Sequence, residues 1–171
     1  KTGTLTKGNF KVTRLVPSGI SEAELLEYTA LAESHSSHPI ALSIVEEYKN
    51  ATPSVSEVFE VEELAGFGVR ALVKEKEVFA GNLRLMKEKN ISVPEQLTEL
   101  TVGTAVYVAI NGTFAGIICV EDEIKPDTVS AITELKASGI KKLVMLTGDK
   151  KATGEAIARQ LGLNGVHTEL L

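Results

Sequence analysis

Lys142-Leu143-Val144-Met145-Leu146-Thr147-Gly148-Asp149 decides how this chain is read. Lys142–Leu146 is an apolar run with the composition of a strand. Lys150–Leu161 then has helical spacing and ends at Gly162, and an earlier helix over Pro126–Ser138 ends at Gly139. Helices and strands alternating with such punctuation imply a parallel, doubly wound sheet. Thr147-Gly148-Asp149 therefore sits where a strand ends and a helix opens. Ligands of open α/β sheets gather at the carboxyl ends of strands, and the free N–H groups and dipole of the next helix favour an anion there. A threonine hydroxyl and a close-approaching glycine suit a phosphoryl group. Helix capping by Asp149 explains the tripeptide about as well.

Upstream the pattern differs. Ser21-Glu22-Ala23-Glu24 is a capping box, followed by Leu25, Leu26, Tyr28, Leu31 and Ala32 at helical spacing. Ser34-His35-Ser36-Ser37 competes for backbone hydrogen bonds and should end that helix. A second helix restarts at Pro39, a suitable first-turn residue. Val58–Leu64, Val69–Val73 and Val78–Ala80 read as short strands, with Lys74–Glu77 as a charged hairpin tip. Short helices are expected over Leu83–Lys89 and Glu95–Leu100. Thr104–Ile110 and Thr113–Val120 flank Asn111-Gly112, the strongest short hairpin signal. This stretch is α+β with an antiparallel sheet, bracketed by pieces of the α/β domain.

Composition narrows the function. With 171 residues and 43% hydrophobic content, the chain can bury a substantial core in one or two small domains. The formal charge is −5 with signs interleaved, which argues against a nucleic-acid face. Glu57, Glu60, Glu62 and Glu63 read as a solvated strand edge. The single cysteine, Cys119, allows no disulfide framework and reads as a buried structural thiol. No run reaches the ~18 apolar residues of a membrane span, and no Cys-x-x-Cys or His/Cys cluster suggests a transition-metal site.

Lys1-Thr2-Gly3-Thr4-Leu5-Thr6, about 140 residues ahead of Thr147-Gly148-Asp149, resembles the run that follows the phosphorylated aspartate of P-type ATPases. Further elements are similar to the heavy-metal branch of that family. They are Glu33-Ser34-His35-Ser36-Ser37-His38-Pro39, the glycine pair in Gly66-Phe67-Gly68-Val69, Gly81-Asn82, and the hinge-like Asp122-Glu123-Ile124-Lys125-Pro126. The resemblance implies an α/β, haloacid-dehalogenase-like phosphorylation domain with a partial parallel sheet, spanning residues 1–8 and 120–171. Residues 9–119 would be an inserted α+β nucleotide-binding domain with an antiparallel sheet.

The same resemblance implies roles. Glu33 and His38 would bind the adenine of ATP, since a carboxylate can accept from an exocyclic amine and a neutral imidazole can both donate and accept. Gly66 and Gly68 would let the nucleotide rest against backbone, although a bulge or tight turn accounts for them equally. Gly81 and Asn82 would add a nucleotide contact, with strand exit and helix N-cap as the plain reading. His35 is left as a surface residue. Lys1, either a charge-offsetting or a solvated lysine, belongs with Thr2, Thr147, Gly148 and Asp149 to the phosphoryl site, where Thr2 would help hold Mg²⁺. The attacking aspartate would immediately precede Lys1, and a Gly-Asp-Gly-x-Asn-Asp segment would lie beyond Leu171, so this chain is expected to bind ATP without steady turnover or a phosphoenzyme.

The motif wording is closer to zinc/cadmium/lead exporters than to copper exporters. The expected partners are the transmembrane and actuator parts of the same protein, in an integral plasma-membrane pump whose cytoplasmic side this chain would form, monomeric when isolated and without direct membrane contact. Competing readings are a haloacid-dehalogenase-type phosphatase with residues 9–119 as a lid, and a non-catalytic nucleotide-sensing or docking module.

Overall fold

The computed structural model describes residues 1–49, 58–98 and 103–170. They divide into two compact units, Phe10–Glu121 and Lys1–Asn9 with Asp122–Leu171. In chain order the elements are β1 (Thr6–Pro17), α1 (Glu22–Ala32), α2 (Pro39–Lys49), β2 (Val58–Leu64), β3 (Gly68–Val73), β4 (Lys76–Gly81), α3 (Leu83–Glu88), α4 (Glu95–Thr98), β5 (Thr104–Ile110), β6 (Thr113–Ile124), α5 (Thr128–Ala137), β7 (Val144–Leu146), α6 (Lys151–Gln160) and β8 (Gly165–His167).

Six strands form one sheet in the order β1-β6-β5-β4-β3-β2. From β2 to β6 each neighbouring pair is antiparallel. The Asn111-Gly112 turn joins β5 to β6 with Ile110 opposite Thr113, and both turn residues have positive φ, 48° and 74°. That is the primed turn whose twist matches its strands. The tip between β3 and β4 is tighter than the expected Lys74–Glu77. Only Lys74 and Glu75 turn, both at positive φ, and Lys76 already pairs with Val73.

Both faces of this sheet are covered, so its central strands are apolar throughout rather than alternating. Val106, Val108, Ile118 and Val120 join Leu25 and Leu31 of α1 and Ile44 of α2 in one core. Tyr107, Ala109, Ile117 and Cys119 point the other way, onto Leu85 and Met86 of α3. Cys119 is buried, and burial pushes its thiol up, which keeps it inert. The capping box forms as expected. The Ser21 hydroxyl accepts the Glu24 N–H at 3.2 Å and Glu24 accepts the Ser21 N–H at 3.0 Å. β2 is an edge strand on which Glu60, Glu62 and Glu63 are exposed, and its register slips between Phe59 and Glu62. Charges and a bulge discourage pairing with another chain. Glu57 lies outside the described residues.

The second unit holds a two-stranded parallel sheet, β7 beside β8. Met145 packs with Ile132 of α5 and Ile157 and Ala158 of α6. β7 is shorter than the expected Lys142–Leu146, and neither β1 nor β8 was anticipated from the sequence. Among the described residues, no helix is long and apolar enough to cross a membrane.

Within this unit Asp122 draws together two distant chain segments. Its carboxylate accepts from the fully buried Thr6 hydroxyl at 2.5 Å and from the Gly8 N–H at 2.9 Å. The Leu5 carbonyl accepts the Lys125 N–H at 3.0 Å and the Thr128 hydroxyl at 2.8 Å. Asp122→Ala leaves the Gly8 N–H without this acceptor and the buried Thr6 hydroxyl with only a long contact to the Lys1 carbonyl at 3.4 Å, so it is expected to lower stability by about 2 kcal/mol in urea unfolding. An unchanged midpoint would assign the hold to other contacts.

Candidate functional site

A cleft of about 490 Å³ in the Phe10–Glu121 unit is lined by Glu33, His38, Gly66, Gly68, Gly81 and Asn82, together with Glu63 and backbone of the β2–β3 turn. Residues spread over some fifty positions of sequence thus face one cavity, whose size suits a mononucleotide.

Each arrives there for a local reason. Glu33 is the C-cap of α1, its N–H bonded back to the Thr29 carbonyl at 2.9 Å. Its side chain is buried, and burial, together with the nearby Glu63 carboxylate, pushes its pKa up to about 7. His38 is exposed just ahead of Pro39, and its Nδ1 accepts the Ile40 N–H at 3.2 Å. The imidazole is thus a helix cap, and this bond fixes its tautomer. Nδ1 is occupied as an acceptor, so Nε2 carries the proton and serves as a donor. The sequence-based picture of a ring that both donates to and accepts from a purine is narrowed accordingly.

The glycines divide into two kinds. Gly66 is the third residue of the turn in which the Phe67 N–H bonds the Leu64 carbonyl at 2.8 Å, and its φ is 75°. A Cβ there would meet nothing within 4 Å. Gly68 and Gly81 are opposite each other on β3 and β4. A Cβ on Gly68 would lie 2.1 Å from the Ala80 carbonyl oxygen, and one on Gly81 would lie 2.2 Å from that of Phe67. These two glycines are therefore required by backbone packing, whatever the cleft holds. Asn82 caps α3 by accepting the Leu85 N–H at 3.1 Å and donates to the Gly66 carbonyl at 2.8 Å. Its amide ties the turn to the helix.

Arg84 and Glu63 were missed from the sequence. Arg84 donates to the Gly66 carbonyl at 3.0 Å, and its guanidinium lies 5.5 Å from the centre of the Phe67 ring. A cation two residues after an N-cap carries no sequence signal. Glu63 was counted with a solvated edge, and it does line the cleft.

The second group lies in the other unit. Lys1 Nζ is 2.7 Å from Asp149 Oδ2, with the lysine side chain only 6% exposed. That overturns the reading of Lys1 as a solvated lysine. The Thr147 hydroxyl donates to the same oxygen at 2.5 Å and accepts the Asp149 N–H at 3.1 Å. Burial works to raise the Asp149 carboxyl, but the Lys1 ammonium and the Thr147 hydroxyl outweigh it and hold the pKa below the usual range. Asp149 thus organises the loop. Gly148 is exposed beside it, and Thr2 is exposed in the turn closed by the Thr4 and Leu5 N–H groups on the Lys1 carbonyl. Among the described residues, no three His, Cys, Asp or Glu side chains form a group able to hold a metal.

Two outcomes test this geometry. Gly68→Ala forces a Cβ onto backbone and is expected to cost about 3 kcal/mol or more, whereas Gly66→Ala pays only for positive φ, roughly 1–2 kcal/mol. Equal losses in denaturant unfolding would contradict the distinction. The folded pKa of Glu33 lies above its ordinary 4.5, so the folded chain binds this proton more tightly than the unfolded chain does. Stability from this group is therefore complete below about 4.5 and is lost as pH rises toward 7. Glu33→Gln, permanently neutral, should remove that loss and stabilise the chain by on the order of 3 kcal/mol near pH 8, with little difference near pH 4. Parallel pH–stability curves for the two proteins would show the carboxyl to be solvated.

Comparison with known proteins agrees with this architecture. A family model described as haloacid dehalogenase-like hydrolase matches residues 1–169. A zinc-transporting ATPase of Synechocystis sp. is 49% identical over 172 residues, covering all of this chain and 23% of that protein. A cadmium, zinc and cobalt-transporting ATPase of Bacillus subtilis is 46% identical, covering all of this chain and 24% of that protein. The chain thus spans about a quarter of the length of these relatives. A crystal structure of a zinc-transporting PIB-type ATPase in its E2·Pi state matches with a TM-score of 0.80 and 35% identity, over all of this chain and 28% of that one. The chain belongs to the haloacid dehalogenase-like hydrolase family, and along its whole length it is similar to the zinc- and cadmium-transporting P-type ATPases.

Proposed function

We propose that this chain is the ATP-binding and phosphoryl-handling part of a heavy-metal-exporting P-type ATPase. The parent would couple ATP hydrolysis, through an aspartyl-phosphate, to export of Zn²⁺, Cd²⁺ or Pb²⁺. The observation that carries this reading is that Glu33, His38, Gly66, Gly68, Gly81 and Asn82 line one cleft of about 490 Å³. Zinc and cadmium are preferred to copper because the Synechocystis relative is a zinc-transporting ATPase and the Bacillus subtilis relative a cadmium, zinc and cobalt-transporting one. A free-standing phosphatase would not need a cleft of this donor set.

In this reading the buried Glu33 carboxylate accepts from the exocyclic amine of adenine, which favours its ionised form over the neutral form that burial imposes. His38 donates from Nε2 to a ring nitrogen while the Ile40 N–H holds Nδ1. The Gly66 turn offers backbone beside the nucleotide. Phosphoryl transfer is then positioning plus charge neutralisation. Thr2, Thr147 and Gly148 are the groups assigned to the transferred phosphoryl oxygens, and Asp149 keeps Thr147 and Lys1 in place. The Lys1 ammonium offsets the negative charge that arrives. When bound, Mg²⁺ would supply further charge neutralisation, and the Thr2 hydroxyl is the group of this chain that would help hold it. The partners are the transmembrane and actuator parts of the same protein, with this portion on the cytoplasmic side of the plasma membrane, and the isolated chain is a monomer.

Titrating the 171-residue chain with ATP under NMR observation tests the proposal. Binding of weak to moderate affinity should shift the resonances of the His38–Pro39 corner and of Gly66 and Gly68. His38→Ala should weaken binding roughly tenfold, the worth of one hydrogen bond and its cap. Unmoved resonances at high ATP concentration would overturn the reading.

A further inference from the structure

The cleft has an electrostatic mismatch with the ligand assigned to it. Among the described residues, its wall carries two carboxylates, Glu33 and Glu63, and neither a lysine nor an arginine. A polyphosphate adds several negative charges to such a site, and like charges at close range repel. Something must offset that charge for ATP to be held in preference to the bare nucleoside.

Arg84 is the cation fixed to this wall. One of its N–H groups donates to the carbonyl of Gly66, a lining residue, at 3.0 Å. The guanidinium also rests against the Phe67 ring, 5.5 Å from its centre, an arrangement that holds the plane of the group. The side chain remains exposed, and a guanidinium has five N–H donors. The Gly66 carbonyl has a second donor in Asn82 at 2.8 Å, so the turn does not depend on Arg84 alone. An exposed guanidinium bonded to the wall of an acidic cleft can offer a fork of N–H groups to a phosphate.

We propose that Arg84 contacts the polyphosphate of the bound nucleotide, so that this residue sets the preference for ATP over adenosine. This rests on the reading of the cleft as an adenine-nucleotide site. The test compares the affinities of the 171-residue chain for ATP and for adenosine, in wild type, Arg84→Gln and Arg84→Lys. Glutamine keeps a donor for Gly66 and removes the charge, and lysine keeps the charge and loses the planar fork. The proposal expects Arg84→Gln to bind ATP roughly tenfold more weakly while its adenosine affinity is unchanged, and Arg84→Lys to recover part of the ATP affinity. Equal losses for both ligands would make Arg84 a residue that only shapes the turn, and no loss for ATP would place its charge away from the phosphates. Either result overturns the proposal while leaving the nucleotide site intact. Failure of wild type to bind either ligand would instead remove the site reading, and this proposal with it.

Discussion

The carboxylate of Asp122, accepting from Thr6 and Gly8, is the constraint on which the rest of the molecule depends. Residues 10–121 leave the unit of residues 1–9 and 122–171 and return to it, and the two ends of that excursion are joined by these hydrogen bonds. Closing a loop of that length costs roughly 4 kcal/mol of chain entropy in the simplest treatment. A charged acceptor shared by a buried hydroxyl and a backbone N–H is strong enough to matter against that cost. The same contacts anchor the segment after Lys1, because Leu5 receives Lys125 and Thr128. The turn that carries Thr2 is therefore held by residues more than a hundred positions away.

In the inserted unit the equivalent constraint is the close approach of β3 and β4. Gly68 and Gly81 pair with no room for a side chain, so the backbone of the β2–β3 turn comes close to the start of α3. Asn82 and Arg84 can then both reach the Gly66 carbonyl. One carbonyl with two donors, one neutral and one charged, ties the β2–β3 turn to the start of α3.

Charge is handled differently at the two places. Asp149 is stabilised as an anion by Lys1 and Thr147 and organises its loop. Glu33 is destabilised as an anion by burial and by Glu63. A carboxyl held uncomfortably in a cleft gains when a donor arrives, and that gain is available to binding.

The sequence by itself determined what depends on a few neighbouring residues. The capping box at Ser21, the Asn111-Gly112 turn, the helix start at Pro39 and the strand-to-helix junction at Thr147-Gly148-Asp149 all follow from local dihedral preferences and short-range hydrogen bonds. Glu33, His38 and the glycines, which stand out in the sequence by motif order, line one cleft. Only the tertiary structure decided what depends on partners far along the chain. β1 is weakly marked in the sequence although Phe10 and Val12 alternate with polar neighbours, because its lateral partner β6 begins about a hundred residues later. β8 is three residues long and exists by pairing with β7. The burial of Lys1 against Asp149, the facing of Gly68 and Gly81, and the reach of Arg84 to Gly66 come from register and packing. Those are fixed when distant segments exclude water together, and no local pattern encodes that event.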